Sequence, residues 1–234
     1  YAYFKIKEYE NAIPYFNTYI AQSKEDRNRL TDAYLRMADC NYISSKYWPA
    51  MDAYNKAIEL KCVDADYAAF QKGMSYGFVN KNDKKIEDLT KFVSTYKTSQ
   101  YLDDALYELG NTYTAEEMND KAISTFDNLI NNNKNSAYVA KSILKQGLIY
   151  YNTDKDDAAI TKFKKVVAEF PNSPESLEAV ATAKSIYKAN GKVGEYAAWV
   201  KTLSFVEVTD AELDNDMYES AEKQYLNNSP KKAI

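Results

Sequence analysis

The sequence predicts an all-α fold, an α-solenoid of antiparallel helix pairs with a period of about 37 residues. Three observations lead to it: a shortage of loop-forming residues, a fixed repeat step and helical spacing of the apolar residues. The chain has 234 residues but only 6 glycines and 5 prolines. Together these two residue types make up about 5% of the chain, against about 12% in average usage. Because few residues are available for β-turns and long loops, helices are favoured.

Tyrosine, glycine and alanine mark the repeat step. A step of 37 residues separates Tyr76, Tyr113, Tyr150 and Tyr187. Three positions before the first three of these tyrosines stand Gly73, Gly110 and Gly147. A second series, mostly alanine, has steps of 35 to 38 residues and consists of Ala12, Ala50, Lys85, Ala122, Ala159, Tyr196 and Ala233. A fixed period of this length is typical of solenoid proteins.

Each repeat is expected to contain two amphipathic helices. In the second helix, a large apolar residue follows the alanine-series member by four positions, at Phe16, Tyr54, Leu89, Phe126, Phe163 and Val200. A further apolar residue follows by seven positions, and this spacing places the apolar side chains on one helix face. In the first helix, a small residue lets a neighbouring helix approach closely, at Ala38, Gly73, Gly110 and Gly147.

The repeats are expected to form a single solenoid over residues 1–234. In order, they are a partial repeat at 1–22, repeats at 26–62, 63–98, 99–135 and 136–172, a degenerate repeat at 173–206 and a partial repeat at 209–234. The repeat at 173–206 is degenerate because Lys184 and Tyr196 occupy its two small-residue positions. Since both ends cut through a repeat, we expect a fragment of a longer array.

The repeat at 26–62 carries the clearest family resemblance. It contains Met37-Ala38-Asp39-Cys40-Asn41-Tyr42, then Lys46-Tyr47-Trp48-Pro49-Ala50-Met51, then Tyr54-Asn55-Lys56-Ala57. This order of a small residue, a tyrosine, an alanine and an aromatic residue resembles the tetratricopeptide repeat (TPR). The step is longer than the standard 34 residues. It is similar to that of envelope-associated bacterial TPR proteins, particularly long arrays in Bacteroidetes-type bacteria.

The resemblance implies a right-handed superhelix whose first helices line a concave groove. The positions that correspond to the family's groove are Leu35, Tyr42, Phe70, Met74, Phe78, Tyr107, Asn111, Lys141, Leu144, Leu148 and Tyr151. Most of them are apolar or aromatic, and contiguous apolar surface is typical of binding sites. We therefore expect a non-enzymatic scaffold that binds a protein or peptide segment in this groove.

The carboxylate clamp with which some TPR grooves hold a chaperone tail is not expected. It needs matched lysine, asparagine and arginine positions across three repeats, and only Asn111, Lys141 and Lys145 come near them. Tyr107 and Glu108 stand where the clamp would need lysine and asparagine.

Composition argues against several other functions. The chain has no histidine, the commonest general base and metal ligand. Its net charge of −4 provides no basic field for nucleic acid. We therefore expect no catalytic residue, no cofactor, no metal site and no nucleic-acid partner. No apolar run approaches the 18 residues of a membrane span, so this sequence is not expected to insert directly into a membrane.

Two other functions stay open at this stage. The 22 tyrosines could stack on sugars, so the groove could bind carbohydrate or peptidoglycan in the cell envelope. The array could also be an architectural spacer within a larger polypeptide. Aliphatic groove residues such as Leu144 and Leu148 favour a peptide. The resemblance favours a periplasmic or cell-envelope location over the cytoplasm.

Cys40 and Cys62 are not expected to form a disulfide, because they lie at different heights on antiparallel helices.

Overall fold

Helix follows helix in the computed structural model of the protein, which describes residues 1–22 and 26–226. No strand occurs within these residues, so the prediction of an all-α fold is confirmed. The last member of the alanine series, Ala233, lies outside the described residues. The chain divides into two compact units, Tyr1–Thr125 and Phe126–Ile234, and each is described separately.

The first unit is a succession of antiparallel helices in which each helix packs against the next. Its helices are α1 (Ala2–Lys5), α2 (Tyr9–Gln22), α3 (Arg27–Ile43), α4 (Tyr47–Glu59), α5 (Ala65–Phe78), α6 (Asn82–Thr95) and α7 (Leu102–Ala115). The helices α3, α5 and α7 are the first helices of successive repeats, and α4 and α6 are second helices.

The second unit continues the same alternation. A helix that crosses the division, α8 (Asn119–Asn132), precedes α9 (Val139–Asn152), α10 (Asp156–Glu169), α11 (Pro174–Ala189), α12 (Val193–Val200) and α13 (Asp210–Leu226). The helices α9 to α13 pack in chain order, and α11 also contacts both α9 and α13. The predicted repeat limits and the predicted single solenoid over 1–234 stay predictions.

Small residues lie where paired helices cross, as the sequence predicts. A Cβ atom added to Gly73 on α5 would lie 2.9 Å from Cδ2 of Leu89 on α6. One added to Gly147 on α9 would lie 2.5 Å from Cε1 of Phe163 on α10. Leu89 and Phe163 are completely buried. Since each is already packed on its other sides, the helix pair has no space for a side chain at the glycine.

The turn inside each helix pair contains one residue with positive φ, and these residues recur with the repeat: Lys7, Ser45, Asn80, Glu117, Asp154 and Gly191. In the turn after α5, the Lys81 amide donates a 3.0 Å hydrogen bond to the carbonyl of Tyr76. The Met118 and Lys155 amides donate in the same way to Tyr113 and Tyr150. The tyrosines that mark the 37-residue step therefore accept the hydrogen bond that closes a Schellman-type helix end.

Both cysteines, Cys40 and Cys62, are buried free thiols. Burial and, secondarily, the nearby Asp39 carboxylate raise the pKa of the Cys40 thiol to about 11. A thiol with this pKa is almost entirely protonated at neutral pH, so Cys40 is a packing residue rather than a reactive one.

The degenerate repeat accommodates its two large residues in different ways. Tyr196 on α12 is buried against the rings of Tyr187 and Trp199, with centroid distances of 6.2 and 6.3 Å. Lys184 on α11 extends toward α13, where its Nζ lies 2.6 Å from Oδ2 of Asp216. Lys184 thus forms an ion pair with α13 at the position where the preceding repeat has Gly147.

The helix crossing at Gly147 predicts the effect of a single methyl group. We expect Gly147→Ala to lower the free energy of unfolding by about 1 to 3 kcal/mol, because the buried Phe163 ring cannot yield without repacking. Urea denaturation monitored by circular dichroism measures this change.

Gly194→Ala is the matched control in the same unit. No atom lies within 4 Å of a Cβ added to Gly194, and alanine is the better helix former by about 0.5 to 1 kcal/mol. This variant should be as stable as the wild type or more stable. Equal stability of Gly147→Ala and wild type would show that the two helices do not cross as closely as described.

Candidate functional site

The predicted groove residues do not share one environment. Leu35 on α3 is only 2% exposed and Leu144 on α9 only 5% exposed. Each stands three residues before the small residue of its helix, Ala38 or Gly147, and therefore on the face that packs against other helices. The structure corrects these two predictions: Leu35 and Leu144 are core residues and present no surface to a partner.

Phe70 and Tyr107 occupy the same register and are half-buried. The ring of Phe70 stacks on Tyr101, with centroids 5.5 Å apart and planes at 9°. It also contacts Phe92 at 5.9 Å. These contacts hold Phe70 in the packing between repeats, so that only part of its ring is available to a partner.

An aromatic cluster lies at the carboxyl ends of α3 and α5. The rings of Phe78 and Tyr47 stack at 4.6 Å with planes at 7°, and Tyr42 meets both edge-on at 5.8 and 5.7 Å. Phe78 is nevertheless 54% exposed. Tyr47 is a member of this surface that the sequence analysis did not identify, because it begins a second helix.

A cavity of about 360 Å³ lies between α5, α6 and α7, and we call it the α5–α7 cavity. Its lining consists of Met74, Gly77, Phe78, Asn82, Lys85, Glu108, Asn111, Thr112 and Ala115. Three predicted groove residues, Met74, Phe78 and Asn111, therefore come together here. The volume is at the lower end of the range of ligand pockets.

An ion pair forms the charged part of the α5–α7 cavity lining. Nζ of Lys85 donates a 2.8 Å hydrogen bond to Oε2 of Glu108. The lysine side chain is 11% exposed and the glutamate side chain 31% exposed. In the sequence, Lys85 stands out only as a lysine in a series that is mostly alanine. A lysine at a position that is alanine in most repeats is the sequence signal by which Lys85 could be recognised as a candidate site residue.

The remaining predicted groove residues belong to α9 in the second unit. Lys141 is exposed, and its Nζ lies 5.6 Å from the centroid of the Tyr138 ring. Leu148 is half-buried and Tyr151 is 37% exposed. Within their own unit these three residues are accessible to a partner to different degrees.

A polar network within the first unit connects α3, α4 and α5. Oδ1 of Asp39 accepts hydrogen bonds from the hydroxyls of Tyr54 and Tyr67 at 2.9 and 3.0 Å, and its Oδ2 pairs with Arg36 at 3.2 Å. Burial raises the pKa of the Asp39 carboxyl above its ordinary value, although the two hydroxyls and Arg36 oppose the shift. Burial beside Asp39 also raises the pKa of both tyrosines.

Two other cavities among the described residues of the first unit are lined by none of the predicted groove residues. One of about 640 Å³ lies at α2 and α3 and is lined by Tyr1, Tyr15, Phe16, Tyr19, Asn28, Arg29, Asp32 and Ala33. A smaller one of about 220 Å³ is lined by Arg36, Asp64, Asp66, Tyr67, Gln100 and Tyr101. Size alone therefore does not identify the site.

Two further properties concern only residues 1–22 and 26–226. Within them, no group of three or more histidine, cysteine, aspartate or glutamate side chains is placed to hold a metal ion. None of the helices in that part of the chain combines the length and the hydrophobicity that a bilayer span requires.

Comparison with known proteins identifies the repeat. The family model for the tetratricopeptide repeat matches residues 104–136 and 141–173, which confirms the predicted TPR pattern there. No curated protein matches the sequence.

The chain is similar to several solved TPR structures. The C-terminal part of a TPR repeat-containing protein from Cytophaga hutchinsonii has 19% identity, a TM-score of 0.66, and coverage of 99% of this chain and 88% of that chain. A TPR protein from Parabacteroides merdae has 13% identity, a TM-score of 0.61, and coverage of 100% and 86%. YrrB, described as a TPR protein with an unusual peptide-binding site, has 16% identity, a TM-score of 0.58, and coverage of 76% and 86%.

At these identities the similarity establishes the fold. Two of these structures come from bacteria of the Bacteroidetes type, as the sequence resemblance predicts. TPR domains generally bind protein or peptide partners and are typically scaffolds rather than enzymes, so the fold supports an interaction scaffold.

The Asp39 network predicts a titration. A carboxyl group whose protonated form is favoured by burial titrates above its ordinary pKa of 3.8. Tyr54→Phe removes one hydrogen bond that favours the carboxylate, so we expect the pKa of Asp39 to rise further in this variant. Carboxyl ¹³C NMR shifts followed from pH 2 to pH 8, a range of about six units that spans ordinary carboxyl values, measure it.

Thr18→Ala serves as the control. It removes a hydroxyl on α2 that donates a hydrogen bond to the Pro14 carbonyl of the same helix, so the pKa of Asp39 should not change. A lower pKa of Asp39 in Tyr54→Phe would contradict the described network.

Proposed function

We propose that this chain of tetratricopeptide repeats is a non-enzymatic interaction scaffold that binds a peptide segment on the face of its first helices, at the α5–α7 cavity. The partner is a protein or an exposed segment of one. The resemblance to envelope-associated TPR proteins favours the periplasm or cell envelope as the place where this happens.

One observation carries the proposal. Met74 and Phe78 from α5 and Asn111 from α7 line the same cavity, although they come from two different repeats. An apolar wall beside a few polar groups is the usual composition of a site that binds and orients a ligand. The exposed ring of Phe78 extends this wall, through Tyr47 and Tyr42, to the end of α3.

The comparisons support the same class of partner. The fold is that of proteins that generally bind proteins or peptides, and YrrB is described as having a peptide-binding site. Binding to a face made of rigid helices requires little reorganisation of the scaffold. An apolar side chain of the peptide would gain by burial against Met74 and Phe78.

Selection from a phage-displayed library of random peptides tests the proposal. The enriched peptide is then titrated against the chain by fluorescence anisotropy. We expect Phe78→Ala combined with Asn111→Ala to weaken binding by about tenfold or more, because residues at the centre of a binding site dominate its affinity.

Tyr218→Ala is the matched control, since Tyr218 is an aromatic residue on α13 that is 68% exposed and does not line the α5–α7 cavity. It should bind the peptide like the wild type, and circular dichroism should show that all variants are folded. Failure to enrich any peptide, or unchanged binding by the double variant, would overturn the proposal. Binding of soluble peptidoglycan fragments in place of peptides would favour the carbohydrate alternative.

A further inference from the structure

Lys85 departs from the alanine series together with a second residue. In the first unit the other members of this series, Ala12, Ala50 and Ala122, are buried. Lys85 is nine-tenths buried at the corresponding place on α6. Across from it lies Gly77, where an added Cβ would be 3.4 Å from Cδ of Lys85.

Gly77, like Lys85, differs from the residues at the equivalent position of the other repeats. Gly77 stands four residues after the small residue Gly73, and the same register in other repeats has Tyr42, Thr114 and Tyr151. A large residue at the alanine position is thus combined with the smallest residue at the facing position. The exchange lets the lysine stem pass between α5 and α6, so that its ammonium group reaches the α5–α7 cavity.

The ammonium group meets a carboxylate there, and the cavity is electrically balanced. Lys85 and Glu108 are paired at 2.8 Å, so a charged side chain entering the cavity would meet one like and one opposite charge. Such a side chain would lose its hydration without a net electrostatic gain. An uncharged polar group avoids this cost and can still hydrogen-bond.

A carboxamide matches the groups that line the cavity. The ammonium group of Lys85 has three donors, of which Glu108 takes one. A carboxamide oxygen can accept from a second of these donors, and the carboxamide NH₂ can donate to the carboxylate of Glu108 or to the side-chain oxygen of Asn111. The aliphatic stem would then lie against Met74 and Phe78, which form the apolar wall.

We propose that the Lys85–Glu108 pair is the specificity element of the α5–α7 cavity and selects a glutamine or asparagine side chain of the bound peptide. This inference rests on the proposed peptide-binding function. It adds that the balanced charges of the cavity select uncharged polar side chains over charged ones. The fold alone does not determine this preference.

Positional scanning of the selected peptide tests the inference. Each position is replaced in turn by Gln, Asn, Leu, Glu and Lys, and affinities are measured by fluorescence anisotropy. For the wild type we expect one position at which Gln or Asn binds about tenfold more tightly than Leu, Glu or Lys, because Leu offers no acceptor to the remaining Lys85 donors and a charged side chain loses hydration without a net electrostatic gain.

Removing either charge should redirect this preference. In Glu108→Gln the ammonium group is left unpaired, so the same position should prefer Glu. In Lys85→Met the carboxylate is left unpaired, so the position should prefer Lys. Lys85→Ala restores the residue of the repeat series and should give the same preference for Lys if the methionine variant does not fold.

The matched control is the exposed pair on the same helix, Lys84 and Glu87, which are also 2.8 Å apart. Lys84→Met and Glu87→Gln should leave every preference of the peptide unchanged. If the wild type binds a peptide but no position prefers a carboxamide, or if the Lys85 and Glu108 variants keep the wild-type preference, the inference is overturned while the proposed function stands. If no peptide binds the wild type at any position, the proposed function fails, and the inference with it.

Discussion

Close contact between paired helices is the constraint on which the rest of the structure depends. At Gly73 and Gly147 the backbone of a first helix lies directly against a buried side chain of the second helix, Leu89 or Phe163. Such contacts bury apolar surface without a side chain on one side of the interface, so the repeat tolerates little change there. The same constraint fixes which helix faces turn inward and which stay available.

The candidate site arises where this constraint is relaxed. Lys85 takes the place of a crossing alanine, and Gly77 provides the space for its stem, so that the helix pair accepts a charged residue without separating. An ammonium group thereby reaches a cavity that is also lined by the apolar Met74 and Phe78 and the polar Asn111. The α5–α7 cavity is therefore a local exception within a regular array, and exceptions of this kind can give individual repeats different binding preferences.

The sequence predicts the fold well because its determinants are local and periodic. The small residues and the apolar stripe recur about every 37 residues, so equivalent positions of most repeats carry residues of the same size and polarity. The groove was predicted less well, since exposure depends on neighbouring repeats: Leu35 and Leu144 share a register with Phe70, yet only the first two are fully buried. The positive φ of the turn residues could not be predicted from residue type either, because residues such as Glu117 adopt it without being glycine.

Peptide binding on the face of α5 and α7 is the feature on which the proposed function depends. Amide chemical-shift mapping by NMR during titration with a selected peptide tests it most directly. We expect the largest perturbations on Met74, Phe78 and Asn111. The second helices α4 and α6 should change less, apart from Lys85. Perturbations concentrated on α4, or on the cavity between α2 and α3, would contradict it.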